Sequence, residues 1–324
     1  MKRALICGAG GFIGGHLTRR LKSEGYFVRG SDIKRHDFDY CMADEFIQGD
    51  LRDKRLVDQV VDNSLDEIYQ LAADMGGAGY IFTGQNDAHM LHNSALCSLN
   101  VLNRAVTCNI NRIFYASSAC VYPLYNQKDP WGVSCSEDSA YPAYPDSAYG
   151  WEKLFSERLY DAYARNFGIQ VRIGRFHNIF GPYGAWRGGR EKAPAALCRK
   201  IAQAKNNIEI WGDGKQTRSF LYIDDCIDAI RALMQSNYSQ PINIGSEERI
   251  SINKLAKMIM KIAKKPLYLQ HVKGQEGVRG RSSDNKRIKQ ILAWSPKVSL
   301  YEGLEKTYKW IEEEVKSSIM LSIS

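Results

Sequence analysis

The sequence predicts an α/β fold, a doubly wound parallel sheet followed by a smaller C-terminal α/β domain. Three observations carry that prediction. Short apolar runs alternate with longer amphipathic ones from residue 3 to residue 176. A glycine-rich turn joins the first apolar run to the first amphipathic segment. The rhythm then breaks, and a second glycine-rich stretch, 181–189, opens a differently patterned region. Strand–helix–strand repetition is the mark of a parallel sheet covered on both faces.

Strands are expected at 3–7, 27–32, 45–49, 67–72, 112–117 and 171–176. Helices are expected at 12–23, 51–61, 88–108 and 148–166, where apolar residues recur with helical spacing. Beyond residue 176 the pattern predicts a helix near 193–204, a strand at 208–211 and a helix from 224. A strand at 242–245, a helix from 253 and a helix near 301–314 follow. The tail 317–324 has no helical pattern and is expected to fray. The first domain is thus 1–176, with re-entry of the chain near 218–245, and the second is 177–324.

The 324 residues are 44% hydrophobic and 25% charged, which is ordinary globular composition. The eight cysteines are scattered, with no Cys-x-x-Cys and no Cys/His cluster. Neither a disulfide framework nor a metal site is expected, and free thiols fit a reducing cytoplasm. The apolar run after Lys2-Arg3 stops at Gly8, too short for a secretion signal. No stretch approaches the ~18–20 apolar residues of a membrane helix. The net charge of +8 comes from dispersed basic residues, which favours small anionic ligands over a nucleic-acid surface.

Gly8, Gly11 and Gly14 form G-x-x-G-x-x-G between the first strand and first helix. The first glycine permits a tight turn. The second lets the backbone approach a pyrophosphate at the helix N-terminus, where Phe12 and Ile13 begin the first turn. The third lets helix and strand pack closely. Asp32 ends the second strand, where a carboxylate bonds a ribose hydroxyl and repels a 2′-phosphate. The motif therefore predicts a Rossmann domain holding NAD, with Lys34 and Arg35 leaving NADP open. Asp50 and Leu51 are placed to flank the adenine. Leu71, Ala72 and Ala73 offer small residues where the cofactor passes.

Tyr149 and Lys153 form Tyr-x-x-x-Lys, which shares one helix face. A free tyrosine titrates near ~10, and a neighbouring ammonium brings it toward a working range. By itself the spacing also describes an ion-pairing surface helix. Ser117-Ser118 at the end of a preceding strand strengthens the catalytic reading.

With the glycine loop, Asp32, Ser117–Pro123, Tyr149/Lys153 and the run Arg218–Asp225, the chain resembles the extended short-chain dehydrogenase/reductase family. Cys7 stands where that family usually has Thr. The family acts mainly on nucleotide sugars and is NAD-dependent. Blocks at 71–77, 117–123, 174–179, 188–196 and 277–282 resemble its branch that inverts a GDP-hexose at both C3 and C5. That resemblance implies Tyr149, Lys153 and Ser118 at C4, with Cys120 and Lys192 as the acid/base pair. It also implies Gly77, Ala119, Asn178, Glu191, Lys200, Gln216, Arg218 and Arg281 around the substrate, and a homodimer.

The residues alone bear on these roles. Cys120 lies two residues beyond Ser118, on the same side if the strand continues; an isolated cysteine is usually a small buried hydrophobe. Lys192 sits in a charged, glycine-bounded loop, and from the residues alone a solvated lysine is the favoured reading. Arg218 and Arg281 offer planar forks for a diphosphate. Asn178, Gln216 and Lys200 can bond sugar, phosphate or base. Which of Cys120 and Lys192 takes which proton stays open. Rival readings are a 4-epimerase, which needs only Ser, Tyr and Lys, and a 4,6-dehydratase, opposed by Ala119-Cys120 where an acidic pair belongs. A non-catalytic binding protein is opposed by the intact Ser118, Tyr149 and Lys153.

Overall fold

The computed structural model describes residues 1–38 and 40–323. The first half builds β1 (Arg3–Cys7), α1 (Phe12–Ser23), β2 (Phe27–Asp32), β3 (Glu45–Gln48), α2 (Lys54–Val60) and β4 (Glu67–Gln70). It continues with α3 (Ala78–Ile81), α4 (Asp87–Thr107), β5 (Arg112–Ser118), α5 (Ala148–Phe167) and β6 (Gln170–Phe176). The second half holds β7 (Ile179–Phe180), α6 (Ala193–Gln203), β8 (Asn207–Trp211), β9 (Thr217–Ser219), β10 (Leu221–Tyr222) and α7 (Ile223–Gln235). β11 (Ile242–Ile244), β12 (Arg249–Ser251), α8 (Ile252–Ala263), β13 (Tyr268–Val272), β14 (Gly280–Arg281), α9 (Lys286–Leu292) and α10 (Leu300–Ile323) complete it.

Seven strands make one sheet in the order β11-β6-β5-β4-β1-β2-β3, with every pairing parallel. Its strands are apolar on both faces because both faces are covered. Ile6, Tyr69 and Phe114 pack with residues of α1 and α7, while Leu5, Ile68 and Tyr115 pack with Val57, Val101 and Tyr160 from α2, α4 and α5. The strand order reverses between β1 and β4, so their carboxyl ends open a crevice of the kind that holds dinucleotides. After β6 the chain leaves this sheet, and β11 returns to pair with β6. β9 pairs with β12 and β14, β8 with β13, and α10 packs on α6 and α8.

Some boundaries differ from expectation for local reasons. The second helix starts at Lys54, not 51, because Asp53 caps it by accepting from the Arg55 amide at 2.8 Å. The fourth strand ends at Gln70, short of Ala72. The last helix runs on through Ile323 instead of fraying; a Lys316–Glu312 pair at 2.8 Å and a Ser318 hydroxyl bonded to the Glu314 carbonyl carry it past 314. Ser324, the last residue of the expected fraying tail, lies outside the described residues. Among the described residues no helix is long and apolar enough to cross a membrane. All eight cysteines are free thiols.

Candidate active site

The carboxyl end of β1 leads into the glycine turn. Gly8 has φ +90°, a left-handed conformation that favours glycine, and a methyl group there would meet the Ala72 amide at 2.9 Å. A methyl on Gly14 would overlap the Gly8 carbonyl, so α1 packs against the turn only because that residue is glycine. Asp32 braces the loop: its carboxylate accepts from the Gly10 amide at 3.1 Å and the Lys34 amide at 3.2 Å. Burial raises the Asp32 carboxyl above the usual range, and these amides oppose the shift. The N-cap of α1 is Gly11, with no side-chain cap and no acid in the first turn, so its positive end is left for an anion. This cradle fits the pyrophosphate and ribose of NAD. Ile13 lies in the same first turn, and Phe12 packs against the surfaces of Gly181 and Gly184.

Leu71 continues from β4, its amide on the Cys7 carbonyl at 3.0 Å, and Ala72 and Ala73 follow under Gly8. Asp50 and Leu51 differ from expectation. The Asp50 carboxylate is gripped by the Arg52 guanidinium (3.0 and 2.9 Å), which holds it below the usual carboxylate range. The Leu51 side chain lies in the core with Val57 and Val60, not in the crevice.

Ser118 ends β5 and meets α5. Tyr149 is buried and hydrogen-bonded to the Ser118 side chain; burial raises its phenol and that bond opposes the rise. Lys153, one turn on, is 3% exposed and donates to the Ala116 carbonyl at 3.0 Å and the Tyr115 hydroxyl at 3.2 Å. Its nitrogen stands 5.6 Å from the Tyr149 ring centre. Burial lowers the Lys153 ammonium, and the Glu152 carboxylate at 3.9 Å opposes this. Beneath them the Ser117 hydroxyl bonds Glu157 at 2.5 Å, and Glu157 pairs with Arg175 through two hydrogen bonds of 2.8 and 2.7 Å. That buried pair fixes β5, β6 and α5 together.

β5 does not continue to Cys120. It stops at Ser118, whose hydroxyl accepts from the Cys120 amide at 3.2 Å and turns 119–121 into a single 3₁₀ turn. Ala119 points into a small core with Val121 and Leu154. Cys120 packs with Tyr149, Ile81 and Met90. Its sulfur accepts from Arg281 Nη1 at 3.3 Å. Burial and the Asp146 carboxylate raise the thiol, while Arg281 and Ser118 pull it down.

Lys192 is the N-cap of α6, on a loop shaped by Gly188 (φ +92°) and Gly189 (φ +85°). Glu191 holds that loop, accepting from the Gly189 amide at 2.7 Å and from Arg199 at 2.8 Å. Arg190 reaches the Tyr80 hydroxyl at 3.0 Å, and its carbonyl accepts from the Gly77 amide at 3.0 Å. A methyl on Gly77 would overlap the Glu191 carbonyl, so Gly77 is spent on loop packing. Lys192 is half-buried, where its sequence context favours a solvated lysine. Burial lowers its ammonium, and the Cys120 thiolate charge is near enough to oppose the shift.

Arg218 lies within charge range of Cys120, Asp146 and Arg281, while Lys200 and Gln216 gather around Trp211. Lys200 donates to the Glu209 carbonyl at 2.9 Å, 5.9 Å from the exposed Trp211 ring. Gln216 donates to the Trp211 carbonyl at 3.1 Å, and its buried Oε1 has no partner. Arg218 donates to the carbonyls of Thr217 (2.7 Å) and Glu276 (3.2 Å) and has no ion pair among the described residues. Burial and Arg281 lower it to about 9, so an anion would relieve it. Two cavities, of 350 and 390 Å³, flank the 273–278 segment beside these residues. Asn178 has φ +43° and donates to the Ser219 carbonyl at 3.0 Å.

Arg281, expected on a diphosphate, donates to Gln127 Oε1 (2.5 Å) and to Cys120 and forms an ion pair with Asp146. Asp146, Gln127, Tyr115 and Gly10 escaped sequence reasoning. Pro145-Asp146-Ser147 precedes the expected helix at 148–166 and carries no motif.

The sequence pattern of the NAD dependent epimerase/dehydratase family matches residues 4–245. The chain is 47% identical over 313 residues to a GDP-mannose 3,5-epimerase of Arabidopsis thaliana, covering 96% of this chain and 82% of that protein. It is 47% identical over 317 residues to GDP-mannose 3,5-epimerase 1 of Oryza sativa subsp. indica, covering 97% and 82%. Among solved structures it resembles UDP-glucuronic acid 4-epimerase from Bacillus cereus in complex with UDP-glucuronic acid and NAD. There the TM-score is 0.84 and the identity 28%, covering 96% of this chain and 99% of that one. A NAD-shaped cradle beside a buried Ser–Tyr–Lys group and a match through most of the chain converge: this protein is a member of the NAD dependent epimerase/dehydratase family.

Proposed function

We propose that the protein converts GDP-α-D-mannose to GDP-L-galactose by inversion at C3 and C5, with GDP-L-gulose as the C5-only product. One observation carries the reading beyond the family. Cys120 is buried against Tyr149, and Lys192, half-buried on a separate loop, lies near enough to feel the charge of Cys120. A plain 4-epimerase has no use for that second pair.

The chemistry follows from bond acidity. A sugar C–H flanked only by carbinols does not release its proton. A carbonyl at C4 makes the C–H bonds at C3 and C5 acidic. NAD, when bound, supplies the hydride acceptor for C4 and returns the hydride at the end. The Gly8–Gly14 turn and Asp32 would hold it, with Lys153 at the nicotinamide ribose. Tyr149 takes the C4 hydroxyl proton, Ser118 orients the C4 oxygen, and Lys153 favours the phenolate. Cys120 and Lys192 then remove and return protons at the two neighbouring carbons, each contributing about 10²–10⁴-fold. Arg218 neutralises the diphosphate, and Lys200 and Gln216 serve the nucleotide end.

In this reading residues 1–176 with the returning 218–245 segment bind NAD, and 177–324 contribute most of the substrate contacts. The protein acts in the cytoplasm as a homodimer, joined through α4 and α5, whose outer faces expose Leu91, Trp151 and Phe155. Incubation with GDP-mannose in D₂O, read by NMR, tests the function. Deuterium is expected at C3 and C5, with inverted products. Inversion at C4 without exchange would replace it by a 4-epimerase.

A further inference from the structure

Asp146 has no role in the mechanism above, yet its carboxylate is completely buried beside it, with a side-chain exposure of 0%. It stands three residues before Tyr149 and forms an ion pair with Arg281, 135 residues away in sequence. The same guanidinium donates to Gln127 at 2.5 Å and to the Cys120 sulfur at 3.3 Å. The other Asp146 oxygen accepts from the Ser147 hydroxyl at 2.8 Å, and that hydroxyl caps α5 by accepting from the Gly150 amide at 3.2 Å.

We propose that Asp146 is a positioning residue that holds the Arg281 guanidinium on the Cys120 sulfur and ties it to the helix bearing Tyr149 and Lys153. This rests on the reading of Cys120 as an acid/base group. A guanidinium has a fixed planar fork, so its aim is set by the groups that occupy its other nitrogens. Gln127 is neutral and touches only Nε; Asp146 supplies the one carboxylate that fixes the opposite end. An asparagine at 146 can turn its oxygen to Arg281 and its NH2 to the Ser147 hydroxyl, but it carries no charge, so the charge-assisted bond that fixes this end of the fork is lost. The fork is then free to leave the thiol. Leaving a buried guanidinium without its carboxylate is costly, which makes the displacement favourable.

The test separates two half-reactions of the intact enzyme loaded with NAD and given GDP-mannose. Reduction of bound NAD, followed by absorbance, reads C4 oxidation. Deuterium incorporation at C3 and C5 in D₂O reads Cys120-dependent exchange. Asp146→Asn is expected to slow exchange about tenfold or more, part of the ~10²–10⁴ that a positioned acid or base supplies. C4 oxidation should stay within about twofold, and Asp146→Glu should restore part of the exchange. Equal loss of both half-reactions in the Asn variant, or no loss in either, would overturn the proposal. If Asp146→Asn does not fold, Asp146→Glu decides by the same split: equal loss or no loss overturns the proposal, and selective loss of exchange supports it. Cys120→Ser in parallel keeps the two readings distinct. Exchange that survives Cys120→Ser removes the acid/base role itself, whereas exchange lost there but intact in Asp146→Asn removes only Asp146.

Discussion

Gly150 lies so close beneath the Cys120 carbonyl that a methyl group on its Cα would overlap that oxygen. The helix that presents Tyr149 and the turn that presents Cys120 are thereby pressed together without a side chain between them. Alanine in a helix interior ordinarily gains about 1 kcal/mol over glycine. Here the clash is with backbone, which cannot rotate away, and overpacking costs about 1–3 kcal/mol. Gly150→Ala is expected to lower stability in urea denaturation and to reduce turnover. A variant as stable and active as the parent would show that the contact is not needed.

The two halves of the proposed chemistry come apart by mutation. Tyr149→Phe is expected to stop both NAD reduction and deuterium exchange, since Tyr149 is the group proposed to accept the C4 proton and exchange depends on the C4 carbonyl. Lys192→Met is expected to cut exchange by about 10²-fold or more while NAD reduction persists. Exchange at the parental rate in Lys192→Met would exclude Lys192 from the acid/base pair.

Cofactor choice is expected to rest on Asp32, whose carboxylate is held at the mouth of the cradle by the Gly10 and Lys34 amides. Asp32→Ala should weaken NAD and strengthen NADP, with Lys34 and Arg35 close by to meet a 2′-phosphate. Binding titrations with both dinucleotides measure this. An unchanged preference would move the discrimination elsewhere.

Mild acid should destabilise the fold through two buried histidines. Burial lowers His16 to about 4 and His177 to about 3, against an ordinary value of 6.5. The folded values lie below the unfolded one, so the unfolded chain binds the extra protons. This stability is complete above about pH 6.5 and is lost as pH falls toward 4 and then 3. The slope approaches about 1.4 kcal/mol per pH unit for each histidine. Urea midpoints should be level above about pH 6.5 and fall between pH 6.5 and 5; a flat profile across that lower range would contradict both shifts.

The oligomer has its own test. Trp151 and Phe155 are one turn apart on the outer side of α5, 47% and 52% exposed. Phe155→Lys is expected to yield monomers in sedimentation velocity. A protein that is monomeric before mutation would dismiss the dimer.

The parts legible in the sequence are those whose physics is local. The glycine turn, Asp32 and Tyr149/Lys153 are read within one strand, turn or helix. The long α4 and α5 follow from a 3.6-residue apolar period. β9, β12 and β14 have two or three residues each, and pairing between distant segments makes them strands, not their composition. Arg281 illustrates the limit. Its charge is visible in the sequence and suggests a phosphate, but the carboxylate that meets it is 135 residues away. Lys192 is the same case in reverse: a charged, glycine-bounded loop suggests solvent, and tertiary packing half-buries it.

The paired left-handed glycines at 188 and 189 have a wider consequence. Ser118, Tyr149 and Lys153 ride on a strand and a helix clamped by the Glu157–Arg175 pair, and are as rigid as the sheet. Lys192 rides on a loop whose path those two glycines set and whose shape Glu191 and Arg199 hold. On the proposed roles, the oxidation machinery is part of the frame, and the choice of which carbons invert hangs from a removable fitting. A side chain at 188 or 189 is then expected to leave the frame able to oxidise a sugar and unable to finish the job.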